Sequence, residues 1–332
     1  MQSGFRNLAT VLTMACAFAQ VAGAANGSSR DFPWGPTVIY GEDNRLDLYQ
    51  VSKQLHLDLA DSTVALIKKA DVKDNLDGTS TLNGKNFGEE FNLCTTEPFR
   101  EQSAAAFCSG FLVDADTVVT AGHCIEGPSD CADVSFVFGY NVKEAGGAHT
   151  KVKTEDVYTC ERVVHTEVNG RGADFAVVKL NRRVMNHRAT ELRQSGSLVK
   201  GDEIVVIGHP SGLPTKVAAG AAVRSIESGF FMANLDTYGG NSGSAVFNDR
   251  TGQVEGILVR GEQDFAFENG CVVSNKCPAD GCRGEDVTLI SSVLPHLGTA
   301  PVDPPVEPVD PVTPPVPPVD PVTPPAPPRG SG

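Results

Sequence analysis

Between residues 36 and 298 the apolar positions come in short runs. They read Ser62–Ile67, Phe107–Val113, Thr117–Thr120, Val134–Phe138, Phe175–Leu180, Glu203–Ile207, Ser244–Phe247 and Val254–Val259. Each run is rich in Val, Ile, Phe or Thr and is bounded by Gly, Asp, Asn or Pro, the pattern of strands closed by turns. No helix-period segments alternate with them, which argues against a parallel α/β sheet. The pattern predicts an all-β fold, with residues 70–104 as an inserted loop region and Ser292–Leu297 as a short terminal helix. Asp77-Gly78 reads as a turn. A calcium loop over Asp71–Thr79 is disfavoured because Lys73 takes the first ligand position.

Both ends of the chain break this pattern. Arg6 precedes the apolar run Leu8–Val21, and Ala22-Gly23-Ala24 supplies small residues in cleavage-site spacing. Residues 1–24 therefore read as an export signal. From Thr299 the composition turns to proline, and Pro-Val-Asp-Pro-Val-Thr-Pro-Pro occurs at Pro308–Pro315 and again at Pro318–Pro325. Proline lacks the donor that a helix or central strand needs, so residues 299–332 are expected to form a disordered, extended Pro-rich tail with no core of its own. Any partner of that tail is unidentified.

Charge narrows the function. A formal net charge of -14 without a basic run excludes a nucleic-acid binder and a surface that seeks anionic membranes. Of nine cysteines, Cys16 leaves with the signal; the remaining eight suit disulfides in an oxidising compartment. The mature protein is expected to be secreted, extracellular or periplasmic, and free of the membrane.

Three segments carry chemistry. They are Val118-Val119-Thr120-Ala121-Gly122-His123-Cys124, Gly172-Ala173-Asp174-Phe175, and Gly239-Gly240-Asn241-Ser242-Gly243-Ser244. A serine hydroxyl is a weak nucleophile and needs a base. An imidazole serves as that base, and a buried carboxylate fixes its tautomer and stabilises its charged form. Glycines beside the serine let backbone amides approach a developing oxyanion, here the amides of Gly240 and Ser242. His123, Asp174 and Ser242 are the expected catalytic triad. His209 is expected to be a loop residue closing a strand. An α/β-hydrolase esterase is disfavoured by the chain order His, Asp, Ser.

These segments resemble the trypsin-like serine peptidases over most of residues 38–298. More narrowly, they are similar to the bacterial glutamyl-endopeptidase branch through Val38-Ile39, Asp43-Asn44-Arg45, Ile207-Gly208-His209-Pro210 and Val254-Glu255-Gly256-Ile257. The resemblance implies two six-stranded antiparallel β-barrels with the site in the cleft between them, over a domain spanning 38–298. It implies peptide or protein substrates and endopeptidase activity through an acyl-enzyme, with no cofactor and no metal. Residues 25–37 would be a short propeptide if trimming produces a start at Val38. The alternative is a catalytically silent module that uses the same fold for binding or adhesion.

The resemblance also bears on finer features. The sixteen-residue separation of Cys108 and Cys124 matches the bridge such enzymes place beside the histidine. The other six cysteines leave fifteen pairings, among which Cys131–Cys160 is favoured. Asp236 stands six residues before Ser242, where trypsins carry the acid of a pocket for basic residues. Leu258 replaces the histidine that a glutamate-selective pocket would need, and Arg260 is the remaining cation nearby. Asn241 replaces the aspartate that in trypsins pairs with a new N-terminal ammonium. Neutral hydrogen bonds from its amide are expected to hold the serine turn instead.

Overall fold

The computed structural model describes residues 38–298 apart from Ala148 and Arg171. The expected signal, propeptide and tail lie outside the described residues.

Twelve strands form two rings. The first contains β1 (Thr63–Lys68), β2 (Ala106–Asp114), β3 (Thr117–Thr120), β4 (Val134–Phe138), β5 (Val157–Val168) and β6 (Asp174–Leu180). They pair antiparallel in the order β1-β2-β3-β6-β5-β4 and close through β4 with β1. The second contains β7 (Glu203–Gly208), β8 (Lys216–Ile226), β9 (Phe230–Ala233), β10 (Ala245–Asn248), β11 (Val254–Arg260) and β12 (Glu285–Leu289). Its order, β7-β8-β9-β12-β11-β10, repeats the first ring and closes between β10 and β7. The short strand Arg45–Asp47 adds to the edge of β8. The fold is thus all-β, two closed six-stranded antiparallel barrels, as the sequence pattern and the resemblance imply.

Packing explains which strands read clearly. In β7, Ile204 and Val206 face the second barrel's core, while Val205 and Ile207 join the larger core cluster that also contains first-barrel residues. Side chains alternate between strand faces, so a strand covered on both faces reads as a continuous apolar run. Strand β5 is the opposite case. Much of it is exposed or half-buried, with Glu161, Arg162, His165 and Glu167 in its run, and the sequence pattern does not reveal it. Strand β8 is masked by small residues and by Gly220 at φ +85°.

Residues 70–104 are more ordered than a loop. Val72–Asp74 and Thr79–Leu82 form a small sheet with Lys151–Lys153, and Leu82 and Val152 pack with Ala65 and Ile67 of β1. The Asp77-Gly78 turn is as expected: Asp77 Oδ1 accepts the Thr79 amide at 2.9 Å. The terminal helix is not α-helical. Two 3-10 turns, Ile290–Ser292 and Leu294–His296, stand there, and Pro295 lacks the donor an α-helix would use.

Four disulfides staple the molecule: Cys94–Cys271, Cys108–Cys124, Cys131–Cys160 and Cys277–Cys282. Two are the expected pairs. The 177-residue separation of Cys94–Cys271 was not legible, because it joins the insertion to the loop before β12.

One half-buried cluster ties the first barrel's connections together. His187 donates to Asp61 at 2.9 Å through Nδ1 and to Asp156 at 3.2 Å through Nε2, which requires both ring nitrogens protonated. Burial works against that charge, but the bonds to Asp156 and Asp61 outweigh it and hold the imidazole up at about 9. Since the folded value exceeds the unfolded 6.5, this stabilisation is full below pH 6.5 and disappears as pH rises through about 9. The melting temperature should fall by roughly 5 °C between pH 7 and 10, and His187→Gln should flatten that slope. Equal slopes in parent and variant would remove His187 as the cause.

Candidate active site

His123 sits in a 3-10 turn, Gly122–Cys124, at the end of β3. Gly122 is needed there, because a Cβ would lie 2.2 Å from the Glu167 carbonyl oxygen. Asp174 opens β6 and is 3 % exposed. Its Oδ2 lies 2.8 Å from His123 Nδ1, and its Oδ1 accepts the His123 backbone amide at 3.1 Å. This two-point contact fixes both the ring and the backbone of the histidine. The second barrel holds the aspartate in turn: the Asp174 amide donates to Thr288 Oγ1 at 3.0 Å, and that hydroxyl donates to the Asp174 carbonyl at 3.2 Å. Burial pushes the Asp174 carboxyl up. The His123 hydrogen bond and charge, with Arg260 behind them, outweigh it, so the group lies below the ordinary carboxylate value.

Ser242 lies on the turn between Tyr238 and β10, and its backbone is docked on the first barrel. Its carbonyl accepts the Ser109 amide of β2 at 2.8 Å. The Ser109 hydroxyl donates to the Gly240 carbonyl at 3.2 Å and accepts the His209 amide at 2.9 Å, while the Ser109 carbonyl accepts the Thr120 hydroxyl at 2.6 Å. One fully buried serine therefore sets the height of the turn over β2 and β3. The Cys108–Cys124 bridge lies under the same contact, with Cys124 Sγ 3.8 Å from the Ser242 carbonyl oxygen. His123 and Asp174 are thus paired on the first barrel, and the turn that carries Ser242 docks on the same barrel. Among the described residues the Ser242 hydroxyl has no hydrogen-bond partner.

The Gly239 carbonyl accepts the Ser211 amide at 2.6 Å. In a trans peptide the N–H points opposite to the C=O, so this bond aims the Gly240 amide away from Ser211. Among the described residues neither the Gly240 nor the Ser242 amide donates to a protein acceptor. Gly240 has φ +87°, a region glycine enters without strain. Asn241 is buried and acts as expected from its neutral amide. Its Oδ1 accepts the Ser244 hydroxyl at 2.7 Å and its Nδ2 donates to Thr237.

Gly243, at φ +90°, is the tightest point. A Cβ would lie 2.1 Å from the Ser109 carbonyl oxygen and 2.3 Å from Thr120 Oγ1. Both are held by the turn's own docking contacts and cannot yield. Gly243→Ala should cost about 2 kcal/mol or more, from overpacking and positive φ together. Urea unfolding against the parent checks this; a difference under about 0.5 kcal/mol would show that the barrels separate freely here.

Three residues named for a substrate pocket are placed differently from the sequence reading. Asp236 is not free to meet a basic side chain: its Oδ1 accepts the Tyr40 amide at 2.7 Å and its Oδ2 the Asn44 amide at 2.9 Å. It grips the N-terminal segment, and burial raises it to about 6. Leu258 is 1 % exposed and packs in the second barrel's core. Arg260 is committed to Asp286, at 3.1 Å through Nε, and to the Gly172 carbonyl at 2.9 Å, with Nη1 4.0 Å from Asp174 Oδ2. The serine was legible from its glycines; these carboxylate and guanidinium partners come from segments distant in sequence.

The remaining candidates have structural roles. His209 is buried, stacks on Tyr140 and contacts the Leu213 carbonyl at 3.0 Å through Nδ1; burial pushes it down to about 3, so it stays neutral. Cys108, His123 and Cys124 cluster within 4.8 Å, but the two sulfurs are bonded to each other and offer no thiolate to a metal.

A family model described as a trypsin-like peptidase domain matches residues 108–257, a stretch that holds His123, Asp174 and Ser242. No curated protein matches the sequence. Among solved structures, the Vibrio cholerae VesB protease is 16 % identical at a TM-score of 0.47 over 76 % of this chain, which spans 65 % of that chain. A Glu endopeptidase in complex with MPD is 17 % identical at a TM-score of 0.46, covering 78 % of this chain and 97 % of that one.

Proposed function

We propose, for a chain that carries a trypsin-like peptidase domain, that it is a secreted serine endopeptidase working through an acyl-enzyme. The carrying observation is the buried Asp174 carboxylate on His123 Nδ1 at 2.8 Å, beside a serine turn whose carbonyl is docked on β2. Asp174 keeps the Nδ1 proton in place, which leaves Nε2 as the acceptor for the Ser242 proton. Ser242 Oγ attacks the scissile carbonyl carbon as His123 takes its proton. The carbonyl oxygen becomes an oxyanion held by the Gly240 and Ser242 amides. His123 then returns the proton to the leaving amine. Water, deprotonated by the same imidazole, hydrolyses the ester and regenerates Ser242.

Four disulfides suit the oxidising compartment that the export signal implies. The test is to treat the purified mature protein with a fluorophosphonate probe and a peptide library, reading the labelled residue and the cleavage sites by mass spectrometry. Label on Ser242 with internal cleavages supports the reading. An unlabelled, folded protein that binds peptides without cutting them would establish the silent binding module instead.

A further inference from the structure

A groove of about 760 Å³ opens on the first barrel, away from the catalytic pair. Strand β6 carries Asp174 at its first residue and reaches the groove at Lys179, its sixth. Five extended residues separate the two by about 17 Å. The groove's apolar lining comes from Val164 of β5, Val177 of β6, Leu192, Leu294 and Leu297. Val164 is 37 % exposed there. Arg162 and Lys179 face the same space as Asp114 and Glu191, so charge is nearly balanced and the apolar lining decides what fits. Lys179 is taken up by Asp116. Arg162 and the side-chain amides of Gln194 and Gln253 make no bond among the described residues, and Thr190 Oγ1 is unpaired as well. The groove thus offers an aliphatic bed with free hydrogen-bond donors, which suits a ligand rich in carbonyls and poor in N–H groups.

The chain brings such a ligand to this place. Leu294 and Leu297 pack on the larger core cluster, and His296 stacks on His165 with ring centroids 3.6 Å apart. Those contacts pin the last turn, and Gly298, the last described residue, itself lines the groove. The Pro-rich tail therefore starts at the groove. Its valines recur every third residue, at Val306, Val309 and Val312, and again at Val316, Val319 and Val322. A polyproline II helix has three residues per turn and rises about 3.1 Å per residue, so each triplet forms one stripe with side chains about 9 Å apart. In the first triplet Glu307, Asp310 and Thr313 fall on a second face and Pro308, Pro311 and Pro314 on the third. The prolines give carbonyl acceptors without donors. Residues 299–305 supply about 22 Å of connecting chain, enough to run out and fold back. A segment on so short a tether has an effective concentration of roughly millimolar, so it fills the groove ahead of a free partner of equal affinity.

We propose that residues 306–312 lie with their valine stripe in this groove of their own chain, with the acidic face turned to Arg162. The tail is then fastened at the end of β6 remote from Asp174, and the catalytic residues stay uncovered. The inference stands on the groove and the tail sequence and is independent of the peptidase reading.

The test uses the full-length mature protein carrying a diazirine analogue of leucine at position 309. Isotopically light and heavy copies are mixed and irradiated, and the cross-links are mapped by mass spectrometry. Cross-links should form within single copies and fall on Val164, Leu192 and Leu294. Val164→Asp puts a charge on the groove lining at a site already open to water, and should reduce those cross-links at least tenfold. Arg162→Glu, at an exposed position, carries the same test if Val164→Asp does not fold. Cross-links between light and heavy copies would overturn the proposal in favour of a second copy as the occupant. Cross-links scattered over the surface, or an unchanged pattern in both folded variants, would also overturn it.

Discussion

Ser242→Ala should remove fluorophosphonate labelling altogether and reduce peptide cleavage by about 10⁶-fold. In the proposed mechanism the hydroxyl is the nucleophile, and without it the oxyanion amides can assist only the much slower attack of water. The substitution should leave stability unchanged. The Ser242 side chain is half-buried and its hydroxyl bonds to no described residue, while the carbonyl that docks on Ser109 belongs to the backbone and survives. The measurement is cleavage rate alongside thermal melting. Cleavage within tenfold of the parent, in a variant that melts normally, would remove Ser242 from the mechanism.

Asp174→Asn should lower kcat by about 10⁴ without unfolding the chain. The amide is close to the carboxylate in shape, and its oxygen can still accept the His123 backbone amide. The nitrogen then faces Nδ1 as a donor, where the carboxylate oxygen stood at 2.8 Å. Nδ1 must accept, the ring proton moves to Nε2, and the nitrogen that should take the serine proton is blocked. The diagnostic is a split between binding and chemistry: kcat falls while KM for a small peptide ester changes little. A loss below about tenfold would mean that the imidazole is oriented by something other than Asp174.

The reading of residues into chemistry succeeded where a role is written in local spacing. The His123 segment ends an apolar strand, Asp174 begins one, and Ser242 lies among glycines whose positive φ and close contacts tolerate no side chain. Asn241 was legible too, since a neutral amide in a buried turn can only make neutral hydrogen bonds, and its partners prove to be Ser244 and Thr237. Eight of the barrel strands stood out because both-face burial writes itself as an apolar run; β5, half-exposed and charged, did not.

By itself, the sequence determined the all-β class, the order of the three candidate catalytic residues and the turn that presents the serine, because each depends on neighbours a few positions away; the two barrels came only from the family resemblance. Only the tertiary structure decided what the long-range partners do. Asp236 stands at the expected distance from Ser242, yet its carboxylate is claimed by the Tyr40 and Asn44 amides from a segment 196 and 192 residues earlier. Arg260 is claimed by Asp286 and Gly172. Ser109, unremarkable in its own strand, becomes the contact that joins the serine turn to the first barrel. A polar side chain in a core bonds to whichever donor or acceptor the fold brings within about 3 Å, and the register of two closed barrels selects that neighbour.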